Sequence, residues 1–277
     1  MSNTPPAAVL EAAEAEFMYQ YEVGTPADAS ATLHVATARI GGGVVLSMRG
    51  DRSGYWSKAL GFGFEEPVTD ELIGRVLDFY RGEGAGRAVL QIAPSVLPPD
   101  WEDIRARHGL RPGGEIVKVC GPVDAFVPGS TQLRVGPVGP QDAEEWATVV
   151  LSVFGMLDQG LMRMMTATVG HPRFRPFAVW DGDRVVAGAN LYLHGDVGAL
   201  NAGATLPEYR GRGAQSALMA ARAEQAAAAG CRWLIAEAGR PGEGESNPSL
   251  NNMLRAGLRP VYHRRNWIWQ QDAPEEA

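Results

Sequence analysis

Residues 200–230 read LNAGATLPEYRGRGAQSALMAARAEQAAAAG. A strand-like run stops at Pro207, a short Arg/Gly loop follows, and an Ala-rich helix begins. The first turn of a helix presents backbone N–H groups that have no intrahelical partner, and the aligned peptide dipoles place partial positive charge there. Gly211 and Gly213 let the backbone turn sharply and approach a ligand, while Arg210 and Arg212 add forked cationic donors. The loop reads as a cradle for a pyrophosphate, against the plainer alternative of a solvated strand-to-helix turn. No Lys-Ser/Thr pair follows the glycines and no G-x-G-x-x-G with a distal acid is present, which sets aside nucleotide-hydrolysing loops and dinucleotide folds.

The segment resembles the cofactor signature of the GNAT superfamily of N-acetyltransferases, Q/R-x-x-G-x-G/A, preceded by a strand ending in a Pro-acidic-aromatic turn. P-E-Y-R-G-R-G-A-Q supplies Arg210 and Gly213, and the last motif position departs, being Gln215. Downstream, a strand at 231–238, a polar helix at 247–256 and a Gly-Leu before a final strand follow the same pattern. The resemblance covers roughly the last 145 residues. It implies an α/β fold with a mixed, mostly antiparallel sheet flanked by helices, and acetyl-CoA as co-substrate without a metal.

The chain has 277 residues, of which 45% are hydrophobic and 21% charged, enough for one large or two small domains with cores. The balance of 25 Lys+Arg against 32 Asp+Glu, −7 in all, argues against a protein that coats nucleic acid or an anionic membrane. No run of 18 apolar residues and no secretion-type N-terminus is present, so a cytoplasmic setting is expected. Cys120 and Cys231 show neither metal-ligand spacing nor a disulfide framework and read as buried thiols.

Taken in order, 9–20 reads as an Ala/Glu helix whose acidic residues form a solvated face, and 31–48 as strand, Gly-rich turn, strand. A short strand at 56–63, a helix at 69–81, a strand at 88–93, a helix at 99–108 and a strand at 115–120 follow. Gly109-Leu110-Arg111-Pro112 recurs as Gly257-Leu258-Arg259-Pro260, and the helix–strand–helix–turn–strand series occurs twice. This points to a tandem of two GNAT-like halves: 1–125, without the cofactor motif, and 131–277, catalytic. Slid back by the 144 residues that separate Gly86 from Gly230, each a glycine before a matching strand, Gly213 falls on Thr69 and Gly211 on Pro67, beside Glu65, Glu66, Asp70 and Glu71. Acids there repel a phosphate, and Thr69 or Asp70 caps the helix itself.

After a Gly/Pro-rich join at 121–137 come a strand at 132–135, a helix from Gln141 or Asp142 to Phe154, and a Met-rich helix. Met156, Met162, Met164 and Met165 suit either a core stripe or an apolar acceptor wall. A hairpin turning at Asp181-Gly182-Asp183 then leads to the strand at 198–205. Trp267 and Trp269 alternate on the last strand and share one face.

By the resemblance, Ala204, Thr205 and Leu206 hold the pantetheine arm through their backbone, with an N–H near Leu206 polarising the thioester carbonyl. Arg210, Gly211, Arg212, Gly213, Ala214 and Gln215 hold the pyrophosphate, and Asn247 and Asn251 add polar-helix contacts. The reaction implied is direct transfer of acetyl from acetyl-CoA to a primary amine of a small molecule. Glu237 is the first candidate base, with His194 a weaker one, and Asn201 orients acceptor or water. The family's usual Tyr falls on Met253, which cannot donate a proton, leaving Tyr262, Asn252, Tyr209 or water for that role. A monomer or homodimer is expected. The alternative reading is a non-catalytic acyl-CoA-binding sensor.

Overall fold

The computed structural model describes residues 4–271. Helices α1 (Ala7–Val23) and α2 (Ala27–Leu33) each open directly after a proline, Pro6 and Pro26. Strands β1 (Val35–Ile40) and β2 (Gly43–Met48) form a hairpin whose turn residues Gly41 and Gly42 both have positive φ, 55° and 80°. That pairing of left-handed residues matches the twist of the flanking strands. Then come β3 (Lys58–Leu60), α3 (Asp70–Gly82), β4 (Arg87–Gln91), α4 (Trp101–Arg107) and β5 (Arg111–Pro122). The Thr69 hydroxyl caps α3, accepting from the Leu72 N–H at 3.2 Å.

The later part of the chain forms β6 (Arg134–Pro137), α5 (Ala143–Val153), α6 (Gln159–Thr166), β7 (Phe174–Asp181), β8 (Arg184–His194) and β9 (Val197–Thr205). It ends in α7 (Ala214–Ala228), β10 (Trp233–Gly239), α8 (Pro248–Arg255) and β11 (Arg259–Gln270). The series α3–β4–α4–β5 recurs as α7–β10–α8–β11, as the sequence suggested.

The two expected sheets are fused into one. Its eleven strands run β1-β2-β3-β4-β11-β5-β10-β9-β8-β7-β6. All neighbours are antiparallel except β3 with β4 and β10 with β9. β11 lies between β4 and β5, and β5 between β11 and β10, so the two segments of the chain exchange their final strands. Trp267 and Trp269 thereby reach the core under α3 and α4: Trp267 sits 5.2 Å edge-on from Trp101, and Trp269 stacks 5.9 Å from Tyr80. This is the core role, contributed by the end of the chain to its beginning.

Helices α3, α4, α7 and α8 cover one face of the sheet; α1, α5 and α6 pack on the other. The expectation of a solvated acidic face on α1 is wrong at the residues that matter most. Glu11, Glu14 and Glu22 are 1%, 6% and 1% exposed. Glu11 and Glu14, one turn apart, lie over the centre of the sheet, where Arg264 of β11 and Lys118 of β5 take their charges. Among the described residues no helix is long and apolar enough to cross a membrane.

Candidate active site

β9 and β10 run parallel but pair only from Val197 to Ala199 and from Trp233 to Ile235. Beyond those residues the strands diverge, and the wedge between them opens into a cavity of about 440 Å³, with Leu200 to Gly203 on one side and Glu237 to Gly239 on the other. The wedge is widened by a bulge. Gly188 pairs with Ala204 and Asn190 with Asn201, so β9 carries one extra residue there, and Ala202 adopts φ of 52°. A left-handed alanine costs roughly 1 kcal/mol, so the surroundings must enforce it. Arg222, buried on α7, does so by donating to the backbone oxygens of Asn190 at 2.8 Å and Asn201 at 3.2 Å. It has no acidic partner among the described residues, and burial pulls it down to about 9.

A second cavity of about 550 Å³ continues from the first along the start of α7, and the two share Gly203, Gln215, Asn247 and Ser249. Gly211 and Gly213 have φ of 77° and 80°. A Cβ on Gly213 would lie 2.2 Å from the Ser130 carbonyl oxygen, so only glycine fits where the join between the two parts of the chain buttresses the loop. The Thr131 hydroxyl donates to the Arg212 carbonyl at 2.7 Å in the same buttress.

Ala204, Thr205, Arg210, Gly211, Gly213, Ala214, Gln215, Asn247 and Asn252 all line this second cavity. Four expected positions behave otherwise. Leu206 turns its N–H to the Val186 carbonyl at 3.0 Å, so it is not free to polarise a thioester. Arg212 leans toward Asp181, 3.6 Å away, and over the Tyr209 ring. Asn251 lines neither cavity, and the Tyr262 hydroxyl donates to Glu11 at 2.7 Å, within the buried charge layer and away from both. Asn252 belongs to the cradle, its amide donating to Gln215 at 2.5 Å. The Gln215 amide in turn donates to Ser249 at 2.8 Å, so this departure from the motif ties α7 to α8. Asn247 caps α8 and donates to the Gly239 carbonyl at 2.9 Å, joining that helix to the end of β10.

Glu237 faces the first cavity and is 15% exposed at its side chain. Lys118 donates to it at 2.6 Å and to Glu14 as well. Burial, then the neighbouring Glu14 charge, push Glu237 up to about 7 in spite of Lys118. Burial acts in the same direction on Glu14, but Arg264 and Lys118 outweigh it and hold Glu14 well below the usual carboxylate range. One carboxylate of the cluster is thus locked in its charged form and the other is poised to take a proton near neutrality. Met253 also lines this cavity and offers no proton. His194 lines neither cavity and stacks beside Tyr192.

An apolar annex of about 100 Å³ adjoins the first cavity and shares Phe17, Tyr55, Phe154, Asn201 and Ala202 with it. Met156 and Met165 line it, Met164 is core, and the Met162 sulfur meets the Thr148 hydroxyl at 3.8 Å. The Asn201 oxygen accepts from Tyr21 of α1 at 2.8 Å. The sequence reading missed Phe17, Tyr21, Tyr55 and Lys58, all from the first part of the chain; nothing local marks them, because α1 and β3 reach the site only through the fused sheet.

Residues 147–239 match the family model described as acetyltransferase (GNAT) domain. Over that stretch the chain matches a GNAT domain. Over nearly its whole length the fold is similar to that of a GCN5-related N-acetyltransferase from Kribbella flavida, at 14% identity and TM-score 0.63, covering 96% of each chain. It is also similar to a tandem GNAT protein from the clavulanic acid biosynthesis pathway, at 13% identity and TM-score 0.59, covering 96% of this chain and 97% of that one. A functionally unknown conserved protein from Staphylococcus epidermidis matches at 9% identity and TM-score 0.58, with 90% and 99% covered. At these identities the likeness is one of fold. No curated protein matches the sequence. The GNAT region contains the wedge, the cradle and Glu237; α8 and β11 lie beyond it.

Proposed function

We propose that this GNAT protein transfers acetyl from acetyl-CoA directly to the primary amine of a small molecule. The observation that carries the reading is the continuity of the two cavities. An anion cradle at the start of α7 runs into a strand wedge, and at the far end of the wedge stands a carboxylate with raised proton affinity. Glycine-only geometry at Gly213 fits close approach of a pyrophosphate, and the unpaired edge of β9 past Ala199 fits an extended pantetheine arm. Glu237 takes the proton of the attacking amine, directly or through a water. With Met253 where a hydroxyl is usual in the family, Ser249, whose hydroxyl side chain lines both cavities, is assigned to the leaving thiolate.

The reading assigns 131–277 as the catalytic half and 1–125 as a half that binds no cofactor but completes the acceptor side through α1 and β3. The position equivalent to the cradle carries Glu66, paired with Arg75, and the Thr69 cap. Glu66→Ala should therefore leave acetyl-CoA affinity unchanged in calorimetric titration, and stability within about 0.5 kcal/mol. The buried thiols Cys120 and Cys231 suit a reducing, cytoplasmic setting.

The direct test is thiol release from acetyl-CoA across a panel of primary amines. Its pH profile follows from Glu237. The ionised form is the base, so kcat/KM rises with pH through an inflection near 7, and Glu237→Gln removes that inflection. The absence of a proton donor at Met253 favours a second reading, a sensor that binds acyl-CoA without turning it over. Stoichiometric binding with no thiol released on any amine supports that one.

A further inference from the structure

The charged residues in and behind the first cavity are unevenly paired. Glu11 and Glu14 come from α1 and Glu237 from β10; Lys118, Arg264 and Arg222 come from β5, β11 and α7. The ion pairs of the cluster run through Lys118 and Arg264. Lys58, on β3, is 8% exposed, lines the cavity, and makes no ion pair among the described residues. Its ammonium lies 3.3 Å from the centroid of the Tyr55 ring, which also lines the cavity. The charges that line the space are Glu14 and Glu237 against Lys58 and Arg222; Lys118 and Arg264 lie behind it and are taken by the ion pairs. With only an aromatic face in close contact and the cavity in front of it, this ammonium has donors left for an anionic group of a ligand.

Resting on the acetyltransferase reading above, we infer that Lys58 anchors a carboxylate of the acceptor, and that the acceptor is an amino acid with an apolar side chain. Three features of the cavity converge on one small molecule. The amine meets Glu237, the carboxylate meets Lys58, and the side chain enters the annex bounded by Phe17, Tyr55 and Phe154, which opens off the same cavity. Of the two cavity cations that make no ion pair among the described residues, Arg222 directs its donors to the backbone oxygens of Leu218, Asn190 and Asn201, which leaves Lys58 for one anionic group; with Glu14 and Glu237 lining the same space, a singly charged carboxylate is repelled less than a phosphate dianion. Burial, helped by the Arg264 charge, brings Lys58 down to about 8 against the opposite pull of Glu14 and Glu237, so it is mostly charged at neutral pH and able to hold a carboxylate.

The test compares leucine and phenylalanine, in both configurations, with isoamylamine and phenethylamine, which lack only the carboxylate. Acetyl-CoA titration is run on the same samples, and acceptor binding is read by calorimetry on CoA-loaded protein alongside thiol release. The expected result is a KM or Kd at least about 10-fold lower for the amino acids. Lys58→Met should then raise it about 10- to 100-fold for amino acids, leave the plain amines unchanged, and leave acetyl-CoA affinity intact. Lys58→Arg should retain part of the preference. Equal or better use of the plain amines by the unaltered protein overturns the assignment, and that comparison needs no variant to fold. So does a Lys58→Met effect on kcat for both series at unchanged KM, or failure of every amino acid to bind protein that binds acetyl-CoA. If acetyl-CoA itself does not bind, the transferase reading falls and this inference with it.

Discussion

Glu237→Gln lowers kcat by about 10²- to 10⁴-fold, the range a positioned proton acceptor contributes, while acetyl-CoA affinity stays within error of the unaltered protein. The split follows from position. Glu237 lines the acceptor-side cavity and not the cradle, and its amide replacement keeps the size and an oxygen that can accept from Lys118. The same substitution does not weaken the fold at alkaline pH. A carboxyl raised from 4.5 to about 7 binds its proton more tightly folded than unfolded, so its contribution to stability is present below about 4.5 and is lost as pH rises toward 7. Above that window the ionised Glu237 is a burden that glutamine lacks. Thermal melting at pH 8 should show Tm equal to or above that of the parent. A variant with normal turnover removes Glu237 from the mechanism, and one that melts far below the parent assigns it to structure instead.

Gly213→Val abolishes measurable acetyl-CoA binding, or weakens it by at least about 100-fold, with the sheet intact. Gly213 holds φ of 80°, where a β-branched residue is strained, and any Cβ there would collide with the Ser130 carbonyl at 2.2 Å. Relieving that contact moves either the first turn of α7 or the join at 130–131. In both cases the backbone N–H groups no longer converge on one anion, and each such charge-assisted bond contributes roughly 1.5–3 kcal/mol. The residue lies at the end of the sheet's scaffold and not within it, so circular dichroism should stay near that of the parent. Affinity retained in a folded Gly213→Val protein would place the cofactor elsewhere.

The cradle was legible in the sequence because every part of it is local: a broken strand, two glycines and a helix start within about ten residues. Glu237 was legible as a strand end for the same reason, whereas Asn247, read only as a polar-helix contact, turns out to cap α8. The buried charge layer was not. Glu14 meets Lys118 104 positions away, and Glu11 meets Arg264 253 positions away, so on α1 alone both look like a solvated helix face. Tyr262 reads as a possible proton donor in the sequence, yet its hydroxyl is taken by that same unseen layer. The repeat of elements was readable from matched turns, whereas the exchange of β5 and β11 depends on long-range pairing that no local pattern encodes. Lys58 on a three-residue strand carries no signal at all; only the fused sheet makes it a cavity wall.

The measurement that bears most directly on the account is calorimetric titration of acetyl-CoA into cofactor-free protein, followed by thiol release with amines added. The account predicts one acetyl-CoA per chain, lost in Gly213→Val and kept in Glu66→Ala and Glu237→Gln, with release of CoA that depends on Glu237. No binding, or two molecules bound per chain, would contradict it.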